Sequence, residues 1–206
     1  MSVSMDSEAW NRRYAGTELV WTAQPNRFLV AETASLSPGR ALDIACGEGR
    51  NAVWLAEQGW RATGVDFSDV ALGKAQRLAE ARGVEVDWSQ ADVVAHRPGE
   101  RAYDLVIVLY LQLPEPDRGR ALRAAADAVA KGGTLLLVAH DSSNLEHGHG
   151  GPQHPGVLYT AADVARDIHG SGLVVERAGV VERPVQTPDG ERIALDALVR
   201  AHRPAA

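Results

Sequence analysis

The stretch Ala41-Leu42-Asp43-Ile44-Ala45-Cys46-Gly47-Glu48-Gly49-Arg50-Asn51-Ala52, followed by Gly64-Val65-Asp66, decides the fold of this 206-residue chain. It reads as a buried strand, a glycine turn, a helix, and a second strand that ends in an acid. Such an order leaves backbone N–H groups free at a helix start beside a tight turn, where a nucleoside ligand can approach. The acid ending the second strand then suits ribose hydroxyls. On spacing alone, Gly47-x-Gly49-x-x-Ala52 also satisfies a dinucleotide fingerprint.

The acids around the turn separate the two readings. Asp43, Asp66 and Asp92 all fall at or just after predicted strand ends, on the edge where open α/β sheets bind ligands. A carboxylate at Asp43 would repel a pyrophosphate but welcome an ammonium or sulfonium charge. The cofactor expected is therefore S-adenosylmethionine, with an NAD-linked oxidoreductase as the alternative. Asp43 suits the methionine ammonium, Asp66 the ribose hydroxyls, and Asp92 the adenine amino group, with Phe67 and Val93 against the ring. Arg50 and Asn51 either contact the cofactor carboxylate or cap the helix, and Leu109 closes the site from a central strand. Glu48 is expected to face solvent or the leader. Cys46 lies in the turn with no base evident beside it, which argues against a nucleophile.

Working outward, strand and helix signals alternate. Strands are predicted at 40–45, 61–65, 84–88, 103–110 and 133–140, and helices at 50–58, 68–82 and 117–130, the last ended by Lys131-Gly132-Gly133. Runs such as Leu105-Val106-Ile107-Val108-Leu109 are nearly continuous in apolar residues, as in strands covered on both faces. A helix at 160–169 leads to strands at 172–182 and 192–201, joined through Asp189-Gly190, so the sheet ends in an antiparallel hairpin. Residues 1–35 read as a helical leader, with helices near 8–14 and 25–35, whose Trp10, Tyr14, Trp21 and Phe28 either dock it or make it a lid. Residues 36–206 read as one doubly wound, Rossmann-like α/β domain with a mostly parallel seven-stranded sheet and an antiparallel last strand.

Composition narrows the partners. A formal charge of −6, with basic residues dispersed, argues against nucleic acid. No apolar run approaches the roughly 20 residues of a membrane helix, and Met1 to Asp6 lack a signal-peptide pattern. One cysteine cannot form an internal disulfide, so a cytoplasmic monomer or homodimer is expected.

The motifs also carry a family resemblance. In order, Asp43-x-x-Cys46-Gly47-x-Gly49, Gly64-Val65-Asp66-Phe67-Ser68, Ala91-Asp92-Val93, Tyr103-Asp104-Leu105-Val106 and Gly132-Gly133-Thr134-Leu135 resemble those of class I S-adenosylmethionine-dependent methyltransferases. The resemblance implies a seven-stranded sheet with the last strand antiparallel. It gives Asp43, Gly47 and Gly49 to the methionine end, Asp66 to the ribose and Asp92 to adenine. Trp10-Asn11-x-x-Tyr14, Trp21 and Pro25-Asn26 resemble the small-molecule branch that includes tellurite-resistance and thiopurine methyltransferases.

The acceptor side is expected after two central strands, at Leu109-Tyr110-Leu111-Gln112-Leu113-Pro114 and His140-Asp141-Ser142-Ser143-Asn144. The first lacks the Asn-Pro-Pro-Tyr type of motif that holds planar amino groups of DNA and protein, which favours a small-molecule acceptor. Tyr110 either stacks on substrate or ends its strand structurally, and His140 or Asp141 is available as proton acceptor. His140, His147, His149 and His154, four of seven histidines, crowd one Gly/Pro-rich loop, read as substrate-covering or solvated; their spacing matches no specific metal motif. The expected reaction is direct in-line methyl transfer to oxygen, nitrogen, sulfur or a metalloid. A non-catalytic S-adenosylmethionine-binding module is the alternative from another class.

Overall fold

A computed structural model describes residues 6–16 and 18–206. Residues 1–5 and 17 of the expected leader lie outside the described residues. The elements before the sheet are α1 (Ser7–Tyr14) and α2 (Arg27–Thr33). Then come β1 (Arg40–Ile44), α3 (Arg50–Glu57), β2 (Arg61–Asp66), α4 (Asp69–Arg82), β3 (Asp87–Gln90), β4 (Tyr103–Leu109), α5 (Glu115–Ala128) and β5 (Val129–His140). The chain closes with α6 (Asn144–His147), a 3-10 turn at Pro155–Val157, α7 (Ala161–Asp167), β6 (Val174–Thr187) and β7 (Gly190–His202).

The seven strands form one sheet in the order β3-β2-β1-β4-β5-β7-β6, in which β7 runs antiparallel to both its neighbours. The order reverses between β1 and β4, the switch point outside which ligands bind doubly wound sheets. Alternate residues of the central strands feed two cores. Leu42, Val106, Val108, Leu135 and Leu137 pack with Leu122 and Ala125 of α5 and Val164 of α7. Ala41, Leu105, Ile107, Leu136 and Val138 pack on the other face with Leu29 of α2 and Leu55 of α3. Each such fully buried Leu, Ile or Val side chain contributes roughly 1.5–3 kcal/mol, which explains why these strands read as unbroken apolar runs.

Several boundaries differ from the sequence reading for identifiable reasons. Asn26 caps α2 through its side chain, accepting from Phe28 and Leu29 amides, so the helix starts after Pro25 rather than on it. Strand β3 begins at Asp87, not near 84, because Val84 still bonds back to Ala79 at the end of α4. Helix α5 ends at Ala128, two residues earlier than expected. The Lys131-Gly132-Gly133 segment lies inside β5, where Gly132 has φ +75 and a Cβ on Gly133 would press on the Asp104 and Tyr103 carbonyls. The β6–β7 hairpin is longer than predicted and turns at Gly190, φ +108.

Candidate functional site

The carboxyl ends of β1, β2, β4 and β5 share one edge. Two backbone positions there are left-handed without being glycine: Ala45 just after β1 and Tyr110 just after β4, each at φ 59. Such conformations cost about 1 kcal/mol or more and cluster at functional sites.

On the β1–β2 side the glycine turn is fastened to the second strand. Gly47, φ +54, donates its amide to Asp66 Oδ2 at 2.8 Å, and Ser68 donates to Asp66 Oδ1 at 2.9 Å. Burial raises the Asp66 carboxyl above its usual range, opposed by those two amides. Asp43 is 2% exposed and its Oδ2 is buried with no hydrogen-bond partner. Burial, and then the neighbouring Asp66, push its carboxyl up to about 8, against Arg50 and the Ala52 amide. Arg50, at the first position of α3, forms no ion pair among the described residues; burial lowers its pKa while Tyr110 and Asp43 support its charge. An unsatisfied buried carboxyl oxygen and a guanidinium without an ion pair thus flank the glycine turn. That donor set fits the amino-acid end of S-adenosylmethionine, and Asp66 fits a diol. Burial drives the Cys46 thiol well above its usual range, with Asp43 and Asp66 adding to it, so it is no nucleophile.

Other residues expected at the cofactor are partly engaged elsewhere. A Cβ on Gly49 would meet Ala75 and Trp88 at 2.6 Å, so this glycine lets α3 pack on α4 and β3, whereas Gly47 is held by Asp66 beneath the Tyr14 hydroxyl. Asn51 uses its Oδ1 to accept from the Asn26 amide at 2.9 Å and anchors the leader. The Leu109 side chain is buried in the core. Phe67 and Val93 are half-buried at the strand ends, and the exposed Asp92 accepts from the Val94 amide at 2.9 Å, close to Asp66 because Gln90 pairs with that residue.

The leader lies across this turn. Glu48 is buried: it accepts from the Val20 and Trp21 amides at 3.0 and 3.1 Å and pairs with Lys74 at 3.0 Å. Of the two positions expected for it, the structure gives the leader. Asn11 reaches Ser68 and Asp69 at the start of α4. The Tyr14 hydroxyl lies 3.1 Å from the position of a Cβ on Gly47; burial pushes its pKa up to about 12, with Asp66 and Glu48 contributing.

On the β4–β5 side a second cluster forms. The Tyr110 ring packs on His140 with centroids 4.9 Å apart, and its hydroxyl donates to Asp196 Oδ2 at 2.8 Å. Arg183 Nε donates to the same oxygen at 2.7 Å. His140 Nδ1 is buried 3.3 Å from Asp196 Oδ1, within ion-pair distance, without a hydrogen bond between them. Burial and Asp196 raise the Tyr110 pKa. Burial works to raise the Asp196 carboxyl, but the adjoining His140 ring, the Arg183 guanidinium and the Tyr110 hydroxyl outweigh it and hold it low. Gln112 accepts the His140 amide at 3.0 Å and donates to Val157, tying the two strand ends to the following loop.

Tyr110 and His140 are thus brought together as expected, whereas Asp141 is not. Its Oδ1 accepts from the Ser143 amide and hydroxyl at 2.9 and 2.7 Å and holds the turn before α6, while its Oδ2 is buried with no hydrogen-bond partner. Asp196 and Arg183 were missed by the sequence reading. Their one local signal is an acid inside the apolar run Ile193-Ala194-Leu195-Asp196-Ala197-Leu198-Val199. The histidine loop disperses: His147 and His149 are exposed, and His154 accepts from the Gly156 amide at 3.0 Å. Among the described residues no group of three His, Cys, Asp or Glu stands ready for a metal. No helix there is long and apolar enough to cross a membrane.

Residues 41–133 match the family described as Methyltransferase domain. Over 125 residues the chain is 34% identical to demethylmenaquinone methyltransferase of Thermus thermophilus, covering 60% of this chain and 55% of that protein. The chain spans about half the length of the curated relatives it matches. In three dimensions it resembles a protein solved in work on the conversion of a disulfide bond into a thioacetal group during echinomycin biosynthesis, with TM-score 0.78, 22% identity, and 97% and 92% of the two chains covered. It also resembles magnesium protoporphyrin IX methyltransferase from Synechocystis, solved with bound S-adenosylhomocysteine, with TM-score 0.66, 20% identity, and 94% and 92% covered.

Proposed function

We propose that this chain, a class I S-adenosylmethionine-dependent methyltransferase by fold and by its methyltransferase domain, moves a methyl group directly to a small-molecule acceptor bound against the packed pair Tyr110 and His140. The observation that carries the reading is the pairing of Asp43, with a buried unpartnered oxygen, and Arg50, with an unpaired guanidinium, on either side of the glycine turn. Asp43 would take the ammonium and Arg50 the carboxylate of the cofactor, with charge-assisted bonds of roughly 1.5–3 kcal/mol each. Asp66 would hold the ribose, and Phe67, Val93 and Asp92 the adenine. Tyr14 and the leader would form a cover over Gly47 that excludes water.

When bound, S-adenosylmethionine supplies an already activated methyl group on a sulfonium. The chain's own task is orientation: an acceptor held within about 3–3.5 Å and in line gains most of the available rate. Tyr110 and His140 are the side chains that would meet the acceptor. The buried, unbridged Cys46 requires no oxidising compartment, which supports a cytoplasmic setting.

Calorimetry with S-adenosylhomocysteine and with NAD tests the cofactor: binding of NAD without S-adenosylhomocysteine would refute it. Release of S-adenosylhomocysteine across phenols, thiols, amines and metalloid oxyanions tests the acceptor class.

A further inference from the structure

On the reading of the site just given, we propose that Asp196 is a positioning residue that holds His140 as proton acceptor, and hence that the acceptor is a hydroxyl or thiol that must surrender a proton. Asp196 is fully buried and sits directly across from His140 in the β5–β7 ladder. Tyr110, His140, Arg183 and Asp196 come from four different strands or strand ends, and all meet at the edge where the acceptor must lie. A buried acid among apolar neighbours is costly unless donors compensate it, and an apolar residue would serve packing better.

The imidazole is held asymmetrically. Nδ1 is buried beside Asp196 Oδ1, while Nε2, across the ring, is the nitrogen left open. Tyr110 covers one part of the ring, and the loop approaches so closely that a Cβ on Gly151 would lie 2.8 Å from Nδ1. A carboxylate beside Nδ1 fixes its proton there, leaves the Nε2 lone pair for substrate and stabilises the imidazolium once it forms. The reaction balances as follows for an acceptor X–H, with X oxygen or sulfur. The X–H proton passes to Nε2, a lone pair of X forms the new bond to the methyl carbon, and the carbon–sulfur bond breaks with its pair returning to sulfur. The imidazolium then gives its proton to water. An amine attacks through its own lone pair and a metalloid oxyanion is already ionised, so neither needs this base at the moment of attack.

Asp196→Asn is a pointed test. Oδ2 receives two strong donors, from Tyr110 at 2.8 Å and Arg183 at 2.7 Å, so the amide oxygen of Asn should take that position. The amide NH2 then faces His140 Nδ1 and forces the opposite tautomer. Nitrogen-15 NMR of imidazole-labelled protein with S-adenosylhomocysteine should show the Nδ1–H form of His140 in the wild type and the Nε2–H form in D196N, at equal S-adenosylhomocysteine affinity. An Nε2–H wild type overturns the proposal without any variant, as does an unchanged tautomer in D196N. Failure of the wild type to bind S-adenosylhomocysteine would instead strike the cofactor reading and leave the tautomer result to stand. With phenol and thiophenol as probes, His140→Gln should slow methylation of phenol by roughly 10²–10⁴-fold. Methylation of selenite or pyridine, with neither phenol nor thiophenol accepted, would overturn the assigned class.

Discussion

The two halves of the proposed site are built differently. The donor half takes Asp43, Gly47, Arg50 and Asp66 from one strand–turn–helix–strand unit, so its parts lie within 24 residues of one another. The acceptor half joins Tyr110, His140, Arg183 and Asp196 across 87 positions, through a sheet order that inserts β7 between β5 and β6. Contiguous chemistry of the first kind is set by local turn geometry; the second kind exists only once long-range pairing is complete.

This contrast can be broken at either end. The largest effect is expected from Asp66→Ala, which removes the ribose acceptor and strands the Gly47 and Ser68 amides: about 3 kcal/mol or more, a hundredfold or greater loss in S-adenosylhomocysteine affinity by calorimetry. An unchanged affinity would remove Asp66 from the site. Arg183→Met should do the reverse. It leaves the fully buried Asp196 short of a donor, at roughly 3 kcal/mol, the low end for a broken buried pair because Arg183 itself is partly exposed. The melting temperature should fall while S-adenosylhomocysteine affinity holds, and loss of both together would mean that the halves are one unit.

The donor half should also respond to pH. Asp43 carries a carboxyl raised to about 8 by burial, Asp66 and despite Arg50. Its proton is retained by the folded, ligand-free protein between the ordinary carboxylate range and about 8, so the stability it contributes is full below that range and declines as pH rises toward 8. An ammonium ligand needs the ionised form. Cofactor affinity is therefore expected to rise with pH up to about 8, by as much as roughly tenfold per unit, and calorimetry in buffers of different ionisation enthalpy should register proton release. Asp43→Asn should flatten this dependence. The smallest effect, about 1 kcal/mol, belongs to Asn11→Ala, which removes the side-chain bonds of α1 to Ser68 and Asp69; faster hydrogen exchange along α1 is its measure.

The same contrast explains what the sequence disclosed. The strand–turn–helix–strand setting of Asp43, Gly47 and Asp66 was legible because turn geometry and strand ends are local properties, and the hairpin that makes β7 antiparallel was legible from Asp189-Gly190. The carboxylate that stands beside His140 was not, since His140 and Asp196 become neighbours only through the β5–β7 register. Asp141 read in sequence as an alternative to His140 as proton acceptor, yet the Ser143 amide and hydroxyl claim one oxygen of its carboxylate. That Trp88 lies against Gly49 and the leader against Asn51 was not legible, because both contacts join segments far apart in the chain.

The position of β7 also sets an order in time. It follows β6 in the chain but lies inside it in the sheet, so the two must close as a hairpin and dock on β5 together, or β7 must thread between strands already formed. Local hairpin closure is the faster course. On a chain emerging from its amino terminus, the glycine turn and its acids can be complete while His140 still lacks its carboxylate. The acceptor half is thus finished by the last strand to be made.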